Sequence, residues 1–336
     1  MGFGDFDFLC QGAPVPLCSL VGPYTTGEGS GIVANGITPS CYARSIDVAN
    51  TVIFQIGTAF INIAALAMTA QMAFNIKSKY TAVGRKELIS FFYLYAALTV
   101  ISLCVDCGVV PPASSPYPYF VSVQNGLTSA TCWCLMVNGF VGFQLYEDGT
   151  RLSLWILRLI SAGAFVLSFV MSLLTFQSWG SLSPTNTTAL FVVLYILNAV
   201  VLIIYVVSQI LLVVGTLQDL WPLGDIGMGV FCFVVGQILL YVFSNRMCEG
   251  MNHYLDGLFF ATLCNLFGVM LIYKYWFSIT REDLEFSVGA KPVAPLSNPW
   301  DAKEYYDDDR RPYGNDGSEY TGSFYALNRN SSMHHI

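Results

Sequence analysis

Seven runs of about 20 or more mostly apolar residues follow one another between Ala49 and Phe277. An α-helix rises about 1.5 Å per residue, so roughly 20 such residues cross a hydrocarbon layer about 30 Å thick. The runs are Ala49 to Phe74, Leu88 to Gly108, Tyr119 to Leu145, Leu152 to Phe176, Ala189 to Val214, Ile226 to Asn245 and Leu255 to Phe277. Soluble domains do not string so many such runs on loops this short. The pattern predicts an all-α polytopic membrane protein, a seven-transmembrane-helix bundle. An odd number of crossings puts the two chain ends on opposite sides of the bilayer.

Charge divides the chain further. Only 11% of residues are charged, against roughly 25% in an ordinary soluble domain. Of the net charge of -7, the segment 282–336 carries -5. Residues 278–336 form an acidic segment rich in Tyr, Asn and Gly, with few aliphatic residues to bury, and are predicted to be a disordered tail. The organisation expected is an N-terminal arm over 1–48, a transmembrane domain over 49–277 and this tail.

Basic residues near the span ends set the orientation. Lys77, Lys79, Arg85, Lys86, Arg151, Arg158, Lys274 and Arg281 lie on one side, and only Arg44 and Arg246 on the other. The N-terminus is therefore expected in the lumen and the C-terminus in the cytosol. The chain opens with neither a basic n-region nor an apolar h-region, so the first span is expected to serve as signal anchor.

The ten cysteines follow the same asymmetry. Cys10, Cys18, Cys41, Cys107 and Cys248 fall on the lumenal side, five lie within spans, and none is in a cytosolic connection or the tail. An oxidising compartment preserves disulfides, so at least one is expected among the lumenal five, with connectivity left open. The intramembrane cysteines read as small packing residues.

Polar groups at membrane depth are the usual markers of function. Those in the spans are mild amides such as Asn62, Gln124, Asn125, Asn198 and Gln209, better suited to joining helices than to lining a path. Arg44, Asp47, Asp106, Arg246, Glu249 and Asp256 share one depth at the lumenal span ends. They make a candidate charge collar, either ion-paired to fix helix packing or merely interfacial. Ala164, Ser168 and Ser172, four residues apart, form a small-residue stripe where another helix can approach, from this chain or a second one.

Enzyme signatures are missing: no H-E-x-x-H, G-x-S-x-G, P-loop or helix-opening G-x-G-x-x-G occurs. His253 is the one imidazole outside the tail, with Asp256 as its only local orienting partner. No catalytic, metal or cofactor site is expected, and no nucleic-acid partner. A seven-span receptor or sensor fits the topology. Span three, however, ends in Tyr146-Glu147-Asp148-Gly149, and span seven lacks an Asn-Pro-x-x-Tyr turn.

Particular strings narrow the choice. Cys41-Tyr42-Ala43-Arg44-Ser45-Ile46-Asp47 runs into Ala49-Asn50-Thr51-Val52-Ile53-Phe54. Lys79-Tyr80-Thr81-Ala82-Val83-Gly84-Arg85, Val105-Asp106-Cys107-Gly108 and Glu147-Asp148-Gly149-Thr150 follow in order. So do Cys248-Glu249-Gly250, His253-Tyr254-Leu255-Asp256-Gly257-Leu258-Phe259-Phe260 and Asp283-Leu284-Glu285-Phe286. Over residues 1 to about 286 the chain resembles the fungal chitin synthase export chaperones. The resemblance implies a non-enzymatic protein of the endoplasmic reticulum membrane that helps a chitin synthase fold and leave for the cell surface. Its expected surroundings are that client and the lipid bilayer. Asp283 and Glu285, just past the last span, form an acidic-x-acidic pair that basic pockets of a vesicle-coat cargo adaptor can read. On that reading the protein travels with its client.

Overall fold

In hydrocarbon every backbone N–H and C=O must be bonded within its own segment, so long apolar runs become helices. The computed structural model describes residues 4–22, 36–37, 39–41, 43–48, 51–80, 82–143, 149–179, 182–216 and 220–289; of 47–48, 51–52 and 281–289 only the backbone is described. The chain opens with α1 (Asp7–Gly12), a 3-10 turn (Pro16–Ser19) and a hairpin of β1 (Ile46–Val48) and β2 (Thr51–Ile53). Long helices follow: α2 (Ile56–Ser78), α3 (Arg85–Asp106), α4 (Tyr117–Val141) and α5 (Arg151–Phe176). Next, α6 (Thr188–Phe191) passes through a π-helical stretch (Val192–Leu197) into α7 (Asn198–Thr216). The last elements are α8 (Trp221–Tyr241), the short α9 (Ser244–Gly250) and α10 (Gly257–Gly289). Residues up to Glu285 belong to one compact unit.

Six of these rods are long and apolar enough to cross a membrane: α2, α3, α5, α6 with α7, α8 and α10 as far as Thr280. The third run forms α4, 25 residues long but more polar, carrying Ser122, Gln124, Asn125, Ser129, Thr131 and Asn138. Its place explains its composition. α4 packs against α3, α5 and α7 at once, so its polar groups meet protein on three sides rather than lipid. Gln124 Nε2 donates to Ser102 Oγ of α3 at 3.0 Å, and Asn125 Nδ2 to Ser172 Oγ of α5 at 3.1 Å. Ser129 Oγ accepts both the Ser168 hydroxyl at 2.6 Å and Asn198 Nδ2 at 2.9 Å, joining α4 to α5 and α7. Gln209 Nε2 of α7 donates to the Gly139 carbonyl at 3.1 Å. The Ala164, Ser168 and Ser172 stripe thus faces α4 of the same chain and is buried.

Apolar packing closes the bundle at the end opposite the N-terminal arm. Met72, Ile76, Phe91, Phe92, Leu135, Leu157 and Val269 bring α2, α3, α4, α5 and α10 together. There Glu87, fully buried near the start of α3, accepts the Gly149 N–H and the Ser153 hydroxyl, each at 2.9 Å. It ties α3 to the first turn of α5, where Thr150 caps the Ser153 N–H.

Three boundaries depart from the sequence reading. The first apolar run predicts a helix from Ala49, whereas residues 46–48 and 51–53 pair as antiparallel strands with Ile46 opposite Ile53, and the helix starts at Ile56. The β-branched run Ile46, Val48, Thr51, Val52, Ile53 favours strand locally, and Gln55, left-handed at φ 48°, turns the chain into α2. The sixth run breaks after Tyr241, so Asn245 belongs to α9 rather than to the span. The final helix extends to Gly289, so residues 278–289 are helical where the composition predicts disorder.

Close approach of α4 and α5 requires a glycine. A Cβ on Gly126 meets the Phe165 ring at 2.9 Å and its carbonyl oxygen at 3.1 Å, whereas nothing lies within 4 Å of one on Gly163. Gly126→Val is expected to destabilise the bundle by about 1–3 kcal/mol, and Gly163→Ala to stabilise it slightly, by up to about 1 kcal/mol. Thermal unfolding of the two purified variants in detergent measures both.

Candidate functional site

The arm preceding β1 acts as a cap on one end of the bundle. Phe6, Leu17, Cys18 and Val21 are buried against Val105 of α3, Tyr117 and Val121 of α4 and Leu190 of α6. Phe6 sits edge-on to both Phe191 and Tyr195, at 5.8 Å in each case, beside the π-helical stretch. Ala13 packs with Leu240, Leu258 and Ala261, so the cap also reaches α8 and α10. Hydrogen bonds hold its edges. The Tyr117 hydroxyl donates to the Pro16 carbonyl at 3.1 Å, Thr187 Oγ1 to the Gly4 carbonyl at 2.9 Å, and the Gly22 N–H to the Pro184 carbonyl at 2.9 Å.

Two disulfides staple this cap. Cys10–Cys18 closes the turn between α1 and the 3-10 segment. Cys41–Cys248 joins the arm to α9 across a sequence separation of 207 residues. Cys107, the remaining candidate, is buried and free. His253 lies over the second staple, its Nδ1 3.2 Å from Cys41 Sγ and 3.6 Å from Cys248 Sγ. His253 and Asn252 are both left-handed, at φ 64° and 52°, a conformation His and Asn adopt more readily than most residues. The His253 N–H bonds the Cys248 carbonyl and its own carbonyl accepts the Arg44 N–H. Three such donors have the proportions of a metal site. The two sulfurs are committed to each other, so no thiolate is left to bind one.

The five collar residues whose side chains are described do not assemble through ion pairs. Arg44 is exposed and stands over the Tyr254 ring at 5.6 Å. Arg246 and Glu249 are exposed on α9, and the side chain of Asp47 lies outside the described residues. Asp106 and Asp256 are buried instead. Asp256 Oδ1 accepts the Phe259 N–H at 3.1 Å and caps α10, where Ser244 Oγ also accepts the Gly257 N–H at 3.1 Å. Asn62, Gln124 and Asp256 stand around the Asp106 carboxyl group. Asp106 Oδ1 and Asp256 Oδ2 have no hydrogen-bond partner. Lys274 and Asp225 form an ion pair, 2.7 Å apart, joining α10 to α8.

Asp283 and Glu285 fall on the backbone of α10, and their side chains lie outside the described residues. Sequence reasoning missed Glu87, an acid beside basic neighbours that looks like ordinary interfacial charge. Its burial follows from Ser153 and Gly149, more than 60 residues later. Sequence reasoning also assigned no packing to the arm over 1–48, although its Phe, Leu and Val content signals a packed segment.

The staples differ in the loop they close. Loop-closure entropy gives about 2.5 kcal/mol for the short loop and about 5 kcal/mol for the long one. Cys41→Ser is therefore expected to lower the unfolding midpoint more than Cys10→Ser. Peptide mapping of the unreduced protein should recover the pairs Cys10–Cys18 and Cys41–Cys248.

Comparison with known proteins bears on the whole arrangement. A family model described as chitin synthase export chaperone matches residues 2–290. The chitin synthase export chaperone of Aspergillus oryzae is 60% identical over 328 residues, covering 97% of this chain and 96% of the relative. That of Chaetomium globosum is 60% identical over 322 residues, with 94% of each chain covered. That of Fusarium oxysporum is 60% identical over 311 residues, covering 92% and 90%. No solved structure matches the chain.

Proposed function

The chain belongs to the chitin synthase export chaperone family, and from that we propose that it binds a chitin synthase in the endoplasmic reticulum and enables its export to the cell surface. It is a membrane chaperone, not an enzyme. The observation that carries this reading is the similarity along nearly the whole length, 60% identity over 97% of the chain. Nothing in the geometry favours a ligand-sensing receptor over it.

We take the bundle to have seven spans, with α4 as the seventh. Support comes from its length of 25 residues and from its position between α3, α5 and α7. The orientation we propose has the capped end in the lumen and the chain's C-terminal end in the cytosol. Two disulfides at the capped end suit an oxidising compartment, and eight basic residues lie toward the other side. Asp283 and Glu285 then belong to the cytosolic segment, within reach of a coat adaptor, and the chaperone leaves the reticulum with its client.

Export chaperoning of a multispanning client has a physical rationale. A partly assembled client exposes polar side chains to lipid, where they either stay unpaired or draw other chains into aggregates. A partner bundle that offers complementary groups at the same depth covers them until assembly is complete.

In cells lacking the chaperone, chitin synthase is expected to accumulate in the reticulum, and the wild-type chain to restore its delivery and to co-purify with it. Asp283→Ala combined with Glu285→Ala is expected to slow exit of the chaperone while leaving its abundance and client binding intact. Fractionation of reticulum from later compartments reads this, and unchanged partition removes the exit-signal assignment.

A further inference from the structure

The amides on the spans are not distributed at random over the surface. Gln124, Asn125, Asn138, Asn198 and Gln209 all donate to partners inside the bundle. Among the described residues, the exposed amides on the spans are Gln71 and Asn75 of α2, and neither side-chain amide group has a hydrogen-bond partner. Both line one groove, a largely apolar cleft of about 530 Å³ between α2, α8 and α10.

Gln71 stands seven residues before the end of α2 at Ser78, roughly 10 Å into the span at 1.5 Å per residue. At that depth an acyl chain offers it no hydrogen bond, and the amide stays unpaired against lipid. A helix with a polar side chain at the same depth satisfies it. The rest of the lining suits such a guest. Met68, Met72, Met228 and Met270 bring unbranched, polarizable side chains from three helices, which conform to surfaces of different shape. At the groove's Lys274 the Lys274–Asp225 pair spans α10 and α8, so the two walls are fastened rather than closed on each other.

We propose that this groove is where the chaperone holds its client, by docking a client transmembrane helix whose polar side chain pairs with Gln71. The inference rests on the export-chaperone reading and adds the face and the chemistry of contact. Small apolar side chains on the guest helix fit beside the methionines, and its polar residue lies level with Gln71.

A photoreactive benzophenone amino acid in place of Met228, in the full chain made in cells producing chitin synthase, tests this. The expected result is a covalent adduct with the client after illumination, absent when the same probe replaces Trp155, an exposed residue of α5. Gln71→Leu should reduce both adduct and co-purified client by about threefold or more, the scale of one hydrogen bond between membrane helices. Abundance and both disulfides should be unchanged in that variant, which separates lost contact from lost folding. Adducts with lipid alone or with a second copy of the chain overturn the proposal, as do equal client adducts from Trp155 or full client recovery with Gln71→Leu. If the wild-type chain fails to co-purify with the client at all, the export-chaperone reading falls instead.

Discussion

Hydrogen bonds to polar side chains inside the bilayer have no water to fall back on, and the arrangement of this bundle follows from that constraint. α4 carries too many amides and hydroxyls to face lipid, so it occupies the middle, where α3, α5 and α7 each supply partners. Ser129 is the focal point, taking bonds from Ser168 on one neighbour and Asn198 on another. Glycine at position 126 lets α5 come close enough for those short side chains to meet. A membrane lacks the hydrophobic drive that packs soluble cores, so close contact and shared hydrogen bonds do that work here.

The capped end uses a different principle. Outside the bilayer the arm gains from burying Phe6, Leu17 and Val21, and the chain crosslinks that burial with two disulfides. Cys41–Cys248 matters more to the topology, because it fastens the segment leading into α2 to α9, the short helix that precedes α10. The buried acids Asp106 and Asp256 sit beneath this cap, one at the end of α3 and the other at the start of α10. Their oxygens are only partly satisfied, as is the carboxylate of Glu87 at the opposite end, whose Oε2 has no hydrogen-bond partner.

Position divides the span amides by role. Gln124, Asn125, Asn198 and Gln209 join α4 to its neighbours. The outward amides Gln71 and Asn75, in a methionine-lined groove, lack partners within the chain, and the proposed docking of a client helix supplies one.

Much of this was legible in the sequence. Apolar run lengths located every long helix to within a few residues at most ends, because the hydrocarbon thickness imposes a length that composition reveals directly. The asymmetric cysteines pointed to disulfides on one side, and the ordered strings pointed to the family. Pairing was another matter. That Cys10 joins Cys18 and Cys41 joins Cys248, that Ser168 faces Ser129, and that Glu87 is buried by Ser153 all depend on residues brought together from distant parts of the chain. The paired strands 46–48 and 51–53 stand where the first helix was expected to begin, because β-branched residues outside the bilayer are free to follow their local preference. Which amides point inward is likewise a matter of helix rotation and neighbour choice. Side-chain period alone leaves that rotation open, and only the packing of α4 among three partners decided it.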